Sequence, residues 1–169
     1  VDAVLTGELD AYASYFISES KIEKIIKEIK KVKKPLILLN LDENPIPDIE
    51  ILPNIWYKKY YARPYSKSGY FLVGARGCIF KCSYCPTGGM IGKPFFYRFR
   101  NPSNIIDEIK RLKEIGISDF FFFDEIFTIP RRAENLCKEI VKERLDISWS
   151  CEGMVNFISK NMLYWMKKA

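Results

Sequence analysis

The chain has 169 residues, enough for one domain of ordinary size, and 48% of them are hydrophobic and 15% aromatic. This composition supplies a sizeable apolar core and excludes wholesale disorder, and within these residues there is neither a secretory signal pattern nor an apolar run of membrane-spanning length. The net charge of +6 is concentrated in lysines of one predicted helix, so we predict a solvated helix face rather than a nucleic-acid site, and the cysteine usage fits a reducing cytoplasm.

The first part of the chain contains a short apolar segment, a helix and a proline-rich stretch. Val1–Leu5 predicts a buried strand, and isoleucines at helical spacing predict an amphipathic helix over Lys21–Lys34 that ends before a proline. Several prolines within residues 42–53 predict an extended connector. Because both termini lie inside such patterns, we expect the chain to be a fragment of a longer protein.

Three cysteines follow the next apolar run in a short loop. Tyr70–Ala75 predicts a buried strand, and Cys78, Cys82 and Cys85 come after it with C-x3-C-x2-C spacing. Cysteine thiolates are the usual ligands of iron–sulfur clusters. Three thiolates this close in sequence predict a four-iron cluster whose fourth iron is left open for a small ligand.

Two other uses of the thiols need to be weighed. Zinc prefers a closed site of four ligands, and the chain has no histidine. The fourth zinc ligand would have to be Cys137, Cys151 or a carboxylate, so a zinc-stabilised binding module remains an open alternative. A disulfide scaffold is disfavoured because the chain has five cysteines, an odd number. We expect Cys137 to lie in the core.

A helix and a second strand follow the cysteine loop. Asn101 at the N-cap, with a proline at the first helical position, predicts a helix that ends at Gly116. Phe120–Phe123 is apolar throughout and predicts a strand buried on both faces. That strand ends in two acidic residues, Asp124 and Glu125.

A third unit of strand and helix closes the chain. Thr128 is predicted to cap a helix from Pro130 to about Arg144, Ile147–Glu152 predicts the third strand, and Ser159 is predicted to cap a last helix. Strand–helix repeats at a spacing of about thirty residues imply parallel pairing with right-handed crossovers.

The cysteine spacing, placed after a strand, resembles that of the radical SAM superfamily. In that family the open iron of a 4Fe-4S cluster chelates S-adenosylmethionine, and an electron from the reduced cluster cleaves it to a 5'-deoxyadenosyl radical that abstracts hydrogen from a substrate. The resemblance implies that Cys78, Cys82 and Cys85 are the metal ligands and that Tyr84 lies beside the adenine. It also implies an electron donor such as a flavodoxin or ferredoxin.

The resemblance assigns further cofactor contacts. The family carries its contact to the methionine amino group at the end of the second strand, which implies Asp124 first and Glu125 second. Gly88, in the small-residue stretch after the loop, is predicted to let the backbone approach the cofactor closely. Relatives often have an arginine where this chain has Met154, so no contact is carried over to that position.

A looser resemblance is to the cobalamin-binding members of the superfamily. It is carried by a Val-Asp-x-Val…Gly-Glu segment, a helix, a Leu-Asp-x-x-Pro-x-Pro connector and the cysteine loop, in that order. It implies that residues 1–34 are the C-terminal remnant of a Rossmann-like cobalamin domain, 35–69 a linker, and 70–169 the N-terminal half of the radical SAM core. We therefore expect an α/β fold, the first half of a partial (β/α)6 TIM-like barrel.

The function implied is that of a radical SAM enzyme, with cobalamin-dependent methylation or ring remodelling as its reaction in the full-length protein. We expect S-adenosylmethionine and a small-molecule substrate as partners, and we expect the fragment itself to be incomplete for turnover. A methylthiotransferase acting on transfer RNA is the alternative enzyme. Those enzymes have a cysteine-bearing domain ahead of the core, and residues 1–77 contain no cysteine.

Overall fold

The structure is a computed structural model of the chain, and it describes residues 22–31, 38–48, 69–80, 82–85 and 97–169. The chain forms two compact units, the first drawn from residues 1–44 and 77–98 and the second from 45–76 and 99–169. The strand predicted at Val1–Leu5 and the predicted contact at Gly88 lie outside the described residues. No helix in the described part of the chain is long and apolar enough to span a membrane.

The first unit contains the amphipathic helix that the isoleucine spacing predicts. This helix, α1, spans Ile22–Ile29, buries Ile25 and exposes Lys24 and Lys27 to solvent, so the solvated lysine face is confirmed for these residues. The connector that follows is not extended at its start. A 3-10 turn over Leu41–Glu43 precedes the prolines.

Five strands are described, in the order β1 (Tyr70–Leu72), β2 (Ala75–Arg76), β3 (Arg98–Phe99), β4 (Asp119–Phe122) and β5 (Ser148–Cys151). Strands β1, β4 and β5 form a three-stranded sheet with β4 in the middle, and β2 pairs with β3. Both pairings in the larger sheet are parallel. The parallel α/β arrangement inferred from the strand–helix repeats is therefore confirmed.

The first strand is shorter than the sequence predicts. Tyr70–Ala75 is an uninterrupted apolar run, yet the strand ends at Leu72 and a second short strand begins at Ala75. The break at Val73 and Gly74 has a physical cause, because side chains of Asp124 and Arg100 bind backbone groups there.

Three helices accompany the sheet, α2 (Pro102–Glu114), α3 (Arg132–Lys142) and α4 (Lys160–Lys168). The predicted buried stripe of α2 is confirmed: Ile105, Ile109 and Leu112 are at most 1% exposed. The cap of α4 is also as predicted, since the Ser159 hydroxyl accepts a hydrogen bond from the Met162 amide at 3.0 Å.

The prediction that the phenylalanine strand is buried on both faces is wrong. Phe120 and Phe122 are at most 1% exposed and belong to the core with the helices, whereas Phe123 is 63% exposed. Phe121 is half-buried, and its ring meets Phe71 edge-on at 5.6 Å between centroids. One face of the sheet is therefore covered by helices, and the other carries aromatic rings that remain partly in solvent.

The prediction that Thr128 caps the following helix is also wrong. Helix α3 begins at Arg132, after Arg131 with a positive φ of 61°, and no side chain caps it by a hydrogen bond. The Thr128 hydroxyl instead accepts the Met154 amide at 2.9 Å. Thr128 is 1% exposed, and it contributes to the packing of the third strand–helix unit rather than to the helix start.

Candidate metal centre

The chain enters the cysteine loop through a turn at Gly77. Its φ of 88° is left-handed, a conformation that glycine adopts without steric cost. Cys78 follows and is half-buried. The Phe80 amide donates a hydrogen bond to the Cys78 sulfur at 3.4 Å. Hydrogen bonds to ligand sulfur are one of the means by which proteins tune iron–sulfur clusters, so the loop already contains such a donor.

Cys82 and Cys85 lie at the two ends of a tight turn. The Cys85 amide donates a hydrogen bond to the Cys82 carbonyl at 3.1 Å. This bond closes the turn and keeps the two residues close together in space. Both cysteines are exposed, and Tyr84 between them is 88% exposed. The turn therefore presents two thiols and one aromatic ring to an incoming ligand.

The donor set of the loop fits an iron–sulfur cluster in its chemistry. All five cysteines of the chain fall within the described residues, and each is a thiol rather than part of a disulfide. No three metal-ligating side chains in the described ranges are gathered closely enough to hold a single metal ion. The loop thus supplies the right ligands in a short span, and their convergence on a cluster belongs to the proposal below.

The other two cysteines have a different environment. Cys137 on α3 is 0% exposed, which confirms its predicted place in the core. Burial, with a smaller contribution from nearby Cys151, raises the pKa of the Cys137 thiol from 9.0 to about 12. A buried thiol that holds its proton is inert as a metal ligand, and this disfavours Cys137 as the fourth ligand of a zinc site.

Asp124, which was expected to contact a cofactor, is enclosed by its own chain. Its Oδ1 accepts hydrogen bonds from the amides of Gly74 at 2.7 Å and Ala75 at 2.8 Å. Its Oδ2 lies 2.7 Å from Arg132 Nη2, and the Asp124 side chain is 0% exposed. Glu125, by contrast, is exposed.

A second buried ion pair lies beside the same backbone segment. Arg100 Nη1 is 2.6 Å from Glu108 Oε2, with side-chain exposures of 11% and 4%. The same guanidinium nitrogen donates to the Val73 carbonyl at 3.0 Å, and the Arg100 amide donates to the Gly74 carbonyl at 2.9 Å. Arg100 is thus occupied by contacts within the protein.

The predicted site residues divide between the two units. Cys78, Cys82, Tyr84 and Cys85 belong to the first unit. Asp124 and Glu125, which the resemblance assigns to the same cofactor, belong to the second. Each group is defined by its own local contacts.

Sequence reasoning missed two charged residues that are buried here, Glu108 and Arg132. A signal for them was present in the pattern. Glu108 lies three residues after Ile105 and four before Leu112, on the apolar stripe of α2, and Arg132 lies four residues before Leu136 on that of α3. A charge on a buried helix face requires a buried partner.

A cavity of about 450 Å³ occurs elsewhere in the second unit. It lies between residues 46–48 and helix α2, with Tyr70, Glu108 and Arg111 in its lining. Among the described residues, none of the predicted site residues lines it.

A family model and several known proteins are similar to this chain. A family model for the Radical SAM superfamily matches residues 72–169. An uncharacterized methyltransferase of Pyrococcus horikoshii is 31% identical over 183 aligned residues, which cover 100% of this chain and 38% of that protein. The anaerobic magnesium-protoporphyrin IX monomethyl ester cyclase of Rubrivivax gelatinosus is 31% identical over 125 residues, covering 70% of this chain and 22% of the cyclase.

A solved structure is also similar, the radical S-adenosylmethionine methyltransferase TsrM from Kitasatospora setae with cobalamin and a 4Fe-4S cluster bound. The TM-score is 0.42 at 25% identity, with 58% of this chain and 15% of that chain covered. The chain spans only 38% and 22% of the lengths of the two curated relatives above. Because the family model extends over more than half of the residues and includes the whole cysteine loop, the chain belongs to the radical SAM superfamily.

Proposed function

We propose that this chain carries the cluster-binding part of a radical SAM enzyme, with Cys78, Cys82 and Cys85 as the protein ligands of a 4Fe-4S cluster. When bound, the cluster supplies an open iron for S-adenosylmethionine and the electron for its reductive cleavage to a 5'-deoxyadenosyl radical. The observation that carries the proposal is the three-thiol loop that follows the first parallel strand, in a segment that matches the family.

The residues of the loop have distinct tasks in this proposal. The Phe80 amide, already bonded to the Cys78 sulfur, donates a hydrogen bond to a cluster ligand, a contact that tunes iron–sulfur clusters. The turn between Cys82 and Cys85 keeps those two thiols on one short backbone segment. The exposed ring of Tyr84 packs beside the adenine of the bound S-adenosylmethionine.

Glu125 supplies the carboxylate for the methionine ammonium group, and Asp124 does not. A carboxylate that already accepts two amides and faces a guanidinium would have to break those contacts before binding a second cation. Glu125 is exposed and follows directly. Gly88, outside the described residues, keeps its proposed role of close backbone approach.

For the whole protein we propose cobalamin-dependent methylation or ring remodelling of a small molecule, with a flavodoxin or ferredoxin as electron donor. Two similar proteins, a methyltransferase and a magnesium-protoporphyrin IX monomethyl ester cyclase, support methylation or ring remodelling as the reaction class. The proposed division remains 1–34 as the end of a cobalamin domain, 35–69 as linker and 70–169 as the first half of the radical SAM core.

Anaerobic reconstitution with iron and sulfide tests the cluster assignment. Each single change of Cys78, Cys82 or Cys85 to Ala should lower the bound iron and the acid-labile sulfide per chain, because three thiolates hold the cluster. Cys137→Ser and Cys151→Ser are matched controls that should retain both.

The outcomes separate the alternatives. Full iron and sulfide in any one of the three loop variants contradicts the ligand assignment, and loss in either control variant reveals a missed ligand. Stoichiometric zinc without sulfide in the untreated protein would favour the zinc-stabilised binding module instead.

A further inference from the structure

We propose that the buried ion pairs Asp124–Arg132 and Arg100–Glu108 are positioning groups for the cysteine loop. They fix the backbone of Val73–Ala75, and thereby the point from which the chain starts toward Cys78. The inference rests on the proposed function, because it assigns these side chains a task in presenting the first cluster ligand.

The two pairs bind four backbone groups of this segment. Asp124 accepts the amides of Gly74 and Ala75 through one oxygen. Arg100 donates from its side chain to the Val73 carbonyl and from its own amide to the Gly74 carbonyl. Three of these four backbone groups are therefore held by side chains from other elements, and the fourth by the Arg100 backbone amide.

Burying these charges costs desolvation free energy, and packing of the apolar core does not require charged residues here. Asp124 Oδ2 and Arg132 Nη2 lie 2.7 Å apart, with side chains 0% and 5% exposed, and neither atom makes a hydrogen bond within the described residues. The Arg132 guanidinium also lies over the Phe127 ring at 5.2 Å. Buried ion pairs are often replaceable by apolar residues without loss of stability, so the pairs point to a task in geometry.

Gly74 shows how closely the segment is fitted to the first pair. A Cβ added at Gly74 would lie 2.5 Å from Arg132 Nη2 and 3.3 Å from Asp124 Oδ2. The absence of a side chain at this position lets the guanidinium reach its carboxylate directly against the backbone. Any side chain added at position 74 would therefore clash with the ion pair.

The location of the segment gives this arrangement its consequence. Strand β1 ends at Leu72, so the parallel ladder no longer restrains Val73 and Gly74 through β1. Cys78 comes three residues after Ala75. A change in backbone direction at Val73–Ala75 alters the point from which the chain reaches Cys78. A cluster ligand tolerates displacements of only a few tenths of an ångström from its required distance to the metal.

Amide hydrogen exchange of the metal-free chain, read residue by residue, tests the positioning directly. In the wild type the Gly74 and Ala75 amides should be protected. Asp124→Asn keeps an acceptor oxygen but removes the anion facing Arg132. Exchange at Gly74 and Ala75 should then rise about tenfold or more, the equivalent of one charge-assisted hydrogen bond, and the increase should extend to the Cys78 and Phe80 amides.

Two variants serve as controls. Glu143→Gln breaks the Lys110–Glu143 pair, which is equally short at 2.6 Å but exposed, and should leave exchange near Cys78 unchanged. Ile109→Val lowers stability through a core cavity without touching the segment, and it should leave iron uptake intact. Asp124→Asn, in contrast, should lower iron uptake. Half-buried Cys78 should react more slowly with an alkylating reagent than exposed Cys82 in the wild type, and this difference in rate should become smaller in Asp124→Asn.

Several results would overturn the inference. These are unprotected Gly74 and Ala75 amides in the wild type, increased exchange in Asp124→Asn that stops before Gly77, or equal iron uptake by this variant and the wild type. The first result needs no variant, so a failure of Asp124→Asn to fold still leaves a decisive measurement. A wild-type chain that takes up no cluster refutes the proposed function, whereas exchange in the metal-free chain still decides the positioning role.

Discussion

Two neighbouring phenylalanines in one strand run should respond very differently to truncation. Phe122 is 0% exposed, and its ring contacts Phe127 at 4.9 Å and Trp149 at 5.4 Å between centroids. Replacing a fully buried Phe by Ala costs about 3–5 kcal/mol, because the transfer energy is lost and a cavity remains. We expect Phe122→Ala to lower the free energy of unfolding by that amount.

Phe123 is the matched control. It is 63% exposed, so about a third of its surface is buried. Since full burial of a Phe contributes about 1.5–3 kcal/mol, the buried part contributes about 0.5–1 kcal/mol. The edge contact with Phe71, at 5.6 Å, adds about 0.5–1.5 kcal/mol at most. Phe123→Ala should therefore cost about 1–2.5 kcal/mol, and its amide keeps the bond to the Leu72 carbonyl.

Urea denaturation of the metal-free chain, followed by circular dichroism, measures both values. Far-ultraviolet dichroism is preferable to tryptophan fluorescence because Trp149 contacts Phe122. With a denaturant slope of about 1–3 kcal/mol per molar urea, the Phe122→Ala midpoint should lie lower by about 1 M or more. Equal costs at the two positions would refute the assignment of one covered and one uncovered sheet face.

Two further outcomes follow from single contacts. Ser159→Ala removes the hydroxyl that accepts the Met162 amide and should lower stability by about 1 kcal/mol in urea titrations, whereas Ser103→Ala on an exposed position of α2 should not; equal effects would contradict the capping role. For Cys137, folding raises the pKa of the thiol from 9.0 to about 12. Below pH 9 the thiol is protonated in both the folded and the unfolded chain, and between pH 9 and 12 only the unfolded chain releases the proton. Stability should therefore fall as pH rises from 9 toward 12, by up to about 1.4 kcal/mol per pH unit, and a Cys137→Ala variant with the same pH slope as the wild type would show that this thiol does not titrate as described.

Much of the local structure could be predicted from the residues alone. The isoleucine stripe placed α2, and the Asn-Pro start and the Gly116 stop located its ends within about two residues of the observed helix, Pro102–Glu114. Ser159 was correctly identified as a cap. These features are specified by residues within one or two turns of each other, so a short stretch of sequence is enough to predict them. The cysteine spacing is equally local, and it led to the family without any tertiary information.

The wrong cap assignment, and the contacts that the sequence did not reveal, concern residues whose partners are distant in sequence. Thr128 binds Met154, 26 residues away, instead of capping the next helix. Asp124 binds Gly74, 50 residues away, and faces Arg132 across the core. A short polar side chain has several partners of similar energy, and local pattern cannot rank them because burial determines which contact must be made.

The phenylalanine run illustrates the same division for apolar residues. Four consecutive phenylalanines have no internal periodicity, so the sequence established that the segment is a strand and left its two faces equivalent. Packing against α2 and α3 buries Phe120 and Phe122 and leaves Phe123 largely in solvent. Which face is covered depends on where the helices lie after the crossovers, and that placement is a property of the assembled sheet rather than of any segment within it.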